Sequence, residues 1–139
     1  REVFGEEFRE EFIHPTVIYY DEVHRLNSLF NISGMMHITG GAFTKLKGLL
    51  NGADAVIERD HRLKPQEIFQ ELYRRGVSDN EMYRTFNCGV GFILGVSHRD
   101  AGRLLNEIKG FDADVIGRVV PGNGKVKIKS GFSKKEIEF

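Results

Sequence analysis

The chain has 139 residues, 40% hydrophobic and 29% charged, an ordinary globular composition with enough length to bury a core without disulfides. Twenty basic side chains balance twenty acidic ones, so no overall field draws the chain to nucleic acid or to an anionic membrane. The single cysteine, Cys88, excludes an internal disulfide and makes a cytoplasmic location the expectation. No apolar run reaches the ~20 residues of a membrane span, and no signal-peptide pattern is present.

Residues 1–12 carry five glutamates and two arginines around Phe4, Phe8 and Phe12. They read as a linker or loosely docked arm whose phenylalanines a preceding domain would cover. The start at Arg1 rather than Met fits a chain trimmed from something longer. Residues 13–139 form the domain proper. Pro15 is placed to open a helix, with Tyr19, Val23, Leu26 and Phe30 as its buried stripe and Asn31–Gly34 as its end.

Met35–Thr39 is long enough for one buried strand. A period of two puts His37 and Thr39 on one face, Met36 and Ile38 on the other. Gly40 and Gly41 break the run, and Phe43, Leu46, Leu49 and Leu50 follow at helical spacing. Strand, glycine turn and helix together aim backbone N–H groups and a helix N-terminus at one point, which suits a phosphate or other anion. The alternative is a histidine packed beside a tight turn.

Asn51-Gly52 stops that helix, and Ala53–Ile57 reads as a second strand. A charged loop, Arg59–Lys64, leads to Pro65 at a helix start, with Ile68, Phe69, Leu72 and Tyr73 inward and Gly76 as the cap. Ser78-Asp79-Asn80-Glu81 is a capping box. Cys88–Val96 reads as a strand with Gly89, Gly91 and Gly95 on one face, so a ligand or a tightly packed element should approach the backbone there. Ser97 starts a helix with Ala101, Leu104, Leu105 and Ile108 inward. Ala113–Val120 and the alternating Lys125–Lys129 are strands around the turn Pro121-Gly122-Asn123-Gly124. The element order implies an α/β or α+β layered domain, with helices packed on a mixed sheet of four or five strands.

Five scattered histidines have no metal-ligand spacing, so no metal site is expected. Cys88 falls on an apolar face and reads as a packed thiol. No G-x-x-x-x-G-K-[ST] loop is present. Arg84 could fork onto a phosphate or carboxylate, with Thr85 and Asn87 adding neutral hydrogen bonds. An ion pair of Arg84 with Asp79 or Glu81 is the equal alternative.

Pro15-Thr16 with Ile18-Tyr19, His37-Ile38-Thr39-Gly40-Gly41, and the run Glu81–Gly91 resemble, in order and spacing, the C-terminal half of the aminoimidazole ribonucleotide synthetase family. These are the phosphoribosylformylglycinamidine cyclo-ligases of purine biosynthesis. The resemblance runs from about Ile13 to Lys129 and implies a PurM-like C-terminal domain. It also implies a separate N-terminal domain, absent here, that binds ATP and Mg2+ and makes most of a homodimer contact. The implied reaction closes the ring of formylglycinamidine ribonucleotide: the formyl oxygen accepts a phosphoryl group from ATP, and the amidine nitrogen displaces phosphate at that carbon. His37 and Thr39 map onto the first motif, with His37 as the catalytic candidate and Thr39, Gly40 and Gly41 as substrate or phosphate ligands. Arg84, Thr85 and Asn87 map onto the second. Ala42 departs from the family's third glycine and is expected to be an unstrained first helical residue. The rival readings are another ATP-dependent synthetase of the same superfamily and a non-catalytic domain that binds a phosphorylated metabolite or a protein partner.

Overall fold

A computed structural model describes residues 6–139, so Phe4 of the expected arm lies outside the described residues. The rest of the arm holds a short helix, α1 (Arg9–Ile13). Phe8 is buried at 4% exposure, and the Glu11 carboxylate accepts a hydrogen bond from the Ile68 amide at 3.2 Å. The next helix, α2 (Tyr20–Leu29), begins later than Pro15 predicts. Pro15 ends α1, because proline drives the preceding residue out of the helical region and His14 is extended (φ −61°, ψ 124°). The delay of α2 has a separate local cause. Thr16, Val17 and Ile18 are all β-branched and lose χ1 freedom in a helix.

Strand β1 (Ile32–His37) starts earlier than expected, because a bulge between Ile32 and Gly34 lets residues assigned to the helix end join the ladder. It pairs antiparallel with β3 (Phe92–Val96), His37 opposite Phe92. The expected alternation holds: Met36 points inward, His37 outward, and Ile38 is buried just past the strand end. The run Cys88–Val96 is not one strand. Cys88 and Gly89 have φ of 48° and 90°, in the left-handed region where a ladder cannot continue, so β3 begins only at Phe92.

Between β1 and β3 lie a 3-10 helix (Ala42–Leu49), β2 (Ala53–Ile57), α3 (Glu67–Arg74) and α4 (Asp79–Thr85). The Ser78 hydroxyl accepts from the Glu81 amide at 3.3 Å, as the capping box predicts. Helix α5 (His98–Glu107) follows, capped in the same way by Ser97. Three strands close the chain: β4 (Gly117–Pro121), β5 (Val126–Lys129) and an unexpected short β6 (Glu136–Glu138). The result is an α/β domain with a mixed four-stranded sheet in the order β4-β2-β5-β6, β2 and β5 parallel and the other pairs antiparallel. The β1–β3 pair stands apart from it as a second, two-stranded sheet.

One face of the larger sheet presents Ala55, Ile57, Val126 and Ile128 to Phe43 and Leu46 of the 3-10 helix and to Met82 and Tyr83 of α4. Phe43 meets Tyr83 edge to face at 5.4 Å, and burying a ring of this size contributes about 2–3 kcal/mol. The opposite face is charged and paired: Lys127 with Asp54 (2.9 Å) and Lys129 with Glu58 (2.7 Å). The strict alternation of residues 125–129 therefore builds a half-buried strand.

Candidate functional site

The sheet pair and the 3-10 helix meet at the glycine turn. Gly41 has φ 81°, and the amides of Ala42 and Thr44 bond to the carbonyls of Thr39 (2.7 Å) and Gly41 (3.1 Å). Among the described residues the amides of Gly40 and Gly41 donate to no protein acceptor, and both glycines are exposed, which leaves two donors open to solvent or a ligand. Ala42 corrects the expectation for that position. It is the first residue of the helix, but its φ is 39°, a left-handed value that strains an L-residue by about 1–2 kcal/mol. Its methyl group is fully buried, which offsets part of that strain.

Lys45, which the sequence motifs do not mark, ties the turn to the strand end. Its ammonium donates to the His37 carbonyl at 2.9 Å and to the Thr39 hydroxyl at 2.8 Å. One positive charge therefore stands beside His37, Thr39 and the free amides of the turn. Side chains in a helix lean toward its N-terminus, so a lysine one turn in reaches back to the residues before the helix. That lean is the only sequence signal that could have singled out Lys45.

The His37 ring sits in an aromatic group. It stacks on Phe92 at 5.9 Å and meets Tyr19 edge-on at 5.6 Å; Tyr19 also touches Phe92 and Phe111, both at 5.4 Å. Tyr19, Phe92 and Phe111 line a cleft of about 620 Å3 together with Arg62, Lys64 and Gln66, a size that suits a small metabolite. Burial raises the phenol pKa of Tyr19.

Arg84, Thr85 and Asn87 make other contacts. The Arg84 guanidinium lies over the Phe139 ring at 5.8 Å, and none of the ion pairs among the described residues joins it to Asp79 or Glu81. The Thr85 hydroxyl bonds back to Glu81 one turn earlier, and the Asn87 carbonyl oxygen accepts from the Gly89 amide at 3.1 Å, bracing the Cys88-Gly89 bend. Lys45 thus ties His37 and Thr39 together next to the Gly40-Gly41 turn. Among the described residues no hydrogen bond or ring contact links the second motif to them. Cys88 is buried, its thiol 3.6 Å from the carbonyls of Met82 and Phe86, and desolvation pushes its pKa up to about 12, so it cannot act as a nucleophile near neutral pH. Among the described residues no group of His, Cys, Asp and Glu could hold a metal ion, and no helix is long and apolar enough to cross a membrane.

The family model described as AIR synthase related protein, C-terminal domain, matches residues 5–129. The chain is similar to the phosphoribosylformylglycinamidine cyclo-ligase of Citrifermentans bemidjiense, 40% identical over 120 residues that make up 83% of this chain and 34% of the relative. The enzymes of that name from Clostridium perfringens (40% over 130 residues, 90% of this chain and 39% of the relative) and Methanocaldococcus jannaschii (39% over 122 residues, 84% and 34%) are similar to the same degree. The chain spans little more than a third of the length of these curated relatives. With nine-tenths of its residues inside one family model, the chain belongs to the family of AIR synthase related C-terminal domains.

Proposed function

We propose that this chain is the C-terminal half of an ATP-dependent cyclo-ligase that converts formylglycinamidine ribonucleotide to aminoimidazole ribonucleotide. In this reading it forms the substrate-side wall of a cleft. The opposite wall, a nucleotide-binding domain, holds ATP and Mg2+ and makes most of a homodimer contact in the cytoplasm. The observation that carries the reading is the strand end where Lys45 bonds the His37 carbonyl and the Thr39 hydroxyl beside the exposed Gly40-Gly41 turn. Ring closure releases phosphate, and the charge that develops on its oxygens needs donors already in place. The turn amides and the Lys45 ammonium are donors of that kind, held by the fold before any ligand arrives. His37, on the exposed side of the same strand end, is within the same site to carry a proton to or from the amidine. The donors at the turn fit a phosphate.

Apolar side chains exposed close together in sequence, at Ile13 (64%), Val17 (41%) and Ile18 (81%), are surface that such a domain could cover. The test is reconstitution. The chain paired with a family nucleotide-binding domain should form aminoimidazole ribonucleotide from ATP and formylglycinamidine ribonucleotide, and the chain alone should not. In the active pair, His37→Ala should lower kcat by about 100-fold, equivalent to ~2.7 kcal/mol of barrier. Full turnover by the isolated chain, or an active pair indifferent to His37→Ala and Lys45→Ala, would refute the assignment.

A further inference from the structure

We infer that Tyr19 is a positioning residue for His37, held in place by Gly91, so that the Pro15–Tyr19 stretch and the Glu81–Gly91 run act on the catalytic candidate through one ring. The inference rests on the functional reading of His37 given above. Tyr19 precedes α2 and reaches across to the β1–β3 pair. Its ring meets His37 at 5.6 Å with an interplanar angle of 71° and Phe92 at 5.4 Å, while Phe111 closes on it at 5.4 Å. His37 is itself stacked on Phe92 at 5.9 Å and an angle of 25°. The imidazole therefore rests on Phe92, with the Tyr19 ring edge-on beside it. Its backbone carbonyl is fixed separately by Lys45 at 2.9 Å.

The absence of a side chain at Gly91 makes this possible. A Cβ there would lie 1.9 Å from the Tyr19 hydroxyl and 2.9 Å from its ring carbon, so any other residue would push the phenol out of this position. The Gly91 carbonyl accepts from the Ile38 amide at 2.9 Å, which continues the β1–β3 pairing one step past His37. The same glycine thus joins the strand end and seats the ring that borders His37. Aromatic contacts of this kind fix orientation at little entropic cost, and a misplaced reacting group slows catalysis even when the fold survives.

The test reads the His37 ring directly by NMR, in the chain as it stands, and turnover in the reconstituted enzyme. Tyr19→Leu should shift the His37 ring protons, by loss of the Tyr19 ring current, and weaken their Overhauser contacts to Phe92; Tyr19→Phe should preserve both. Turnover should fall about tenfold or more in Tyr19→Leu, chiefly in kcat, and stay within about twofold in Tyr19→Phe. Should Tyr19→Leu fail to fold, Phe111→Leu loosens Tyr19 from the other side and should give the same His37 changes in milder form. Unchanged Overhauser contacts between His37 and Phe92 in a folded Tyr19→Leu or Phe111→Leu variant would overturn the inference. If instead His37→Ala is fully active while the His37 ring moves as expected, positioning stands and the catalytic reading of His37 is what fails.

Discussion

Replacing Gly41 separates a binding turn from a merely structural one, because the fold supplies a matched control. Gly41 and Gly52 have nearly equal left-handed angles, φ 81° and 86°. A Cβ on Gly41 would lie 3.4 Å from the Lys45 stem and 3.7 Å from the Thr44 hydroxyl, ordinary or slightly tight distances, and one on Gly52 would meet nothing within 4 Å. Alanine should therefore cost both sites the same backbone strain, about 1–2 kcal/mol, which for a domain of this size lowers Tm by about 3–8 °C. Valine should cost more at both, since a β-branched residue tolerates that region least. The difference should lie in anion binding. At Gly41 the new side chain crowds Lys45 and stands beside the open amides of the turn, so phosphate affinity of the chain, followed by amide NMR shifts, should fall about tenfold or more, equivalent to ~1.4 kcal/mol. Gly52 variants should bind phosphate as the parent does. Equal phosphate affinity in melting-matched Gly41 and Gly52 variants, or phosphate-induced shifts elsewhere and none at residues 39–45, would refute the assignment of the turn.

Three further outcomes follow from the geometry. Cys88 should resist iodoacetamide in the native chain at pH 8 and react once the chain is unfolded, because a thiol with a pKa near 12 has almost no thiolate; rapid native alkylation would contradict its burial. Asp54 is buried and accepts from the amides of Asn123 (2.8 Å) and Lys125 (2.9 Å) and from the Lys127 ammonium (2.9 Å), with Lys127 the largest influence holding its pKa well below the usual carboxylate range. A depressed native pKa contributes stability that is present above the unfolded value, near ~3.9, and lost as pH falls below it toward the native one; Asp54→Asn should therefore lower Tm at pH 7 and flatten the loss of Tm on acidification below pH ~4, and an unchanged acid melting profile would count against the network. Ala42→Gly should relieve about 1–2 kcal/mol of strain while losing about 0.8 kcal/mol of methyl burial and about 0.5–1 kcal/mol to chain entropy, so its Tm should stay close to the parent's, and a large drop would mean that the methyl group matters more than the backbone angle.

Much of the fold was legible because it is written in local patterns. The alternation of residues 125–129, the capping boxes at Ser78 and Ser97, and the single-face pattern of Met35–Thr39 are set by side chains a few positions apart, and the structure keeps each of them. The motif residues His37, Thr39, Gly40 and Gly41 were legible as a strand-and-turn unit for the same reason. Other features depend on neighbours that are distant in sequence. Cys88-Val90 looks like the first half of a strand, but the chain bends at Cys88 and Gly89, where Lys64 crowds the backbone: a Cβ on Gly89 would lie 2.3 Å from its carbonyl oxygen. The β1–β3 pair separates from the main sheet, which no period in the sequence encodes, since strand partners are chosen by which apolar faces can be buried together. Lys45 and Tyr19 gain their roles only in three dimensions. A lysine in a short helix is unremarkable by type and spacing, and Tyr19 reads from sequence only as a motif member and part of a helix stripe; their contacts with His37 exist because the chain returns the glycine turn and residues 89–92 to the same strand end.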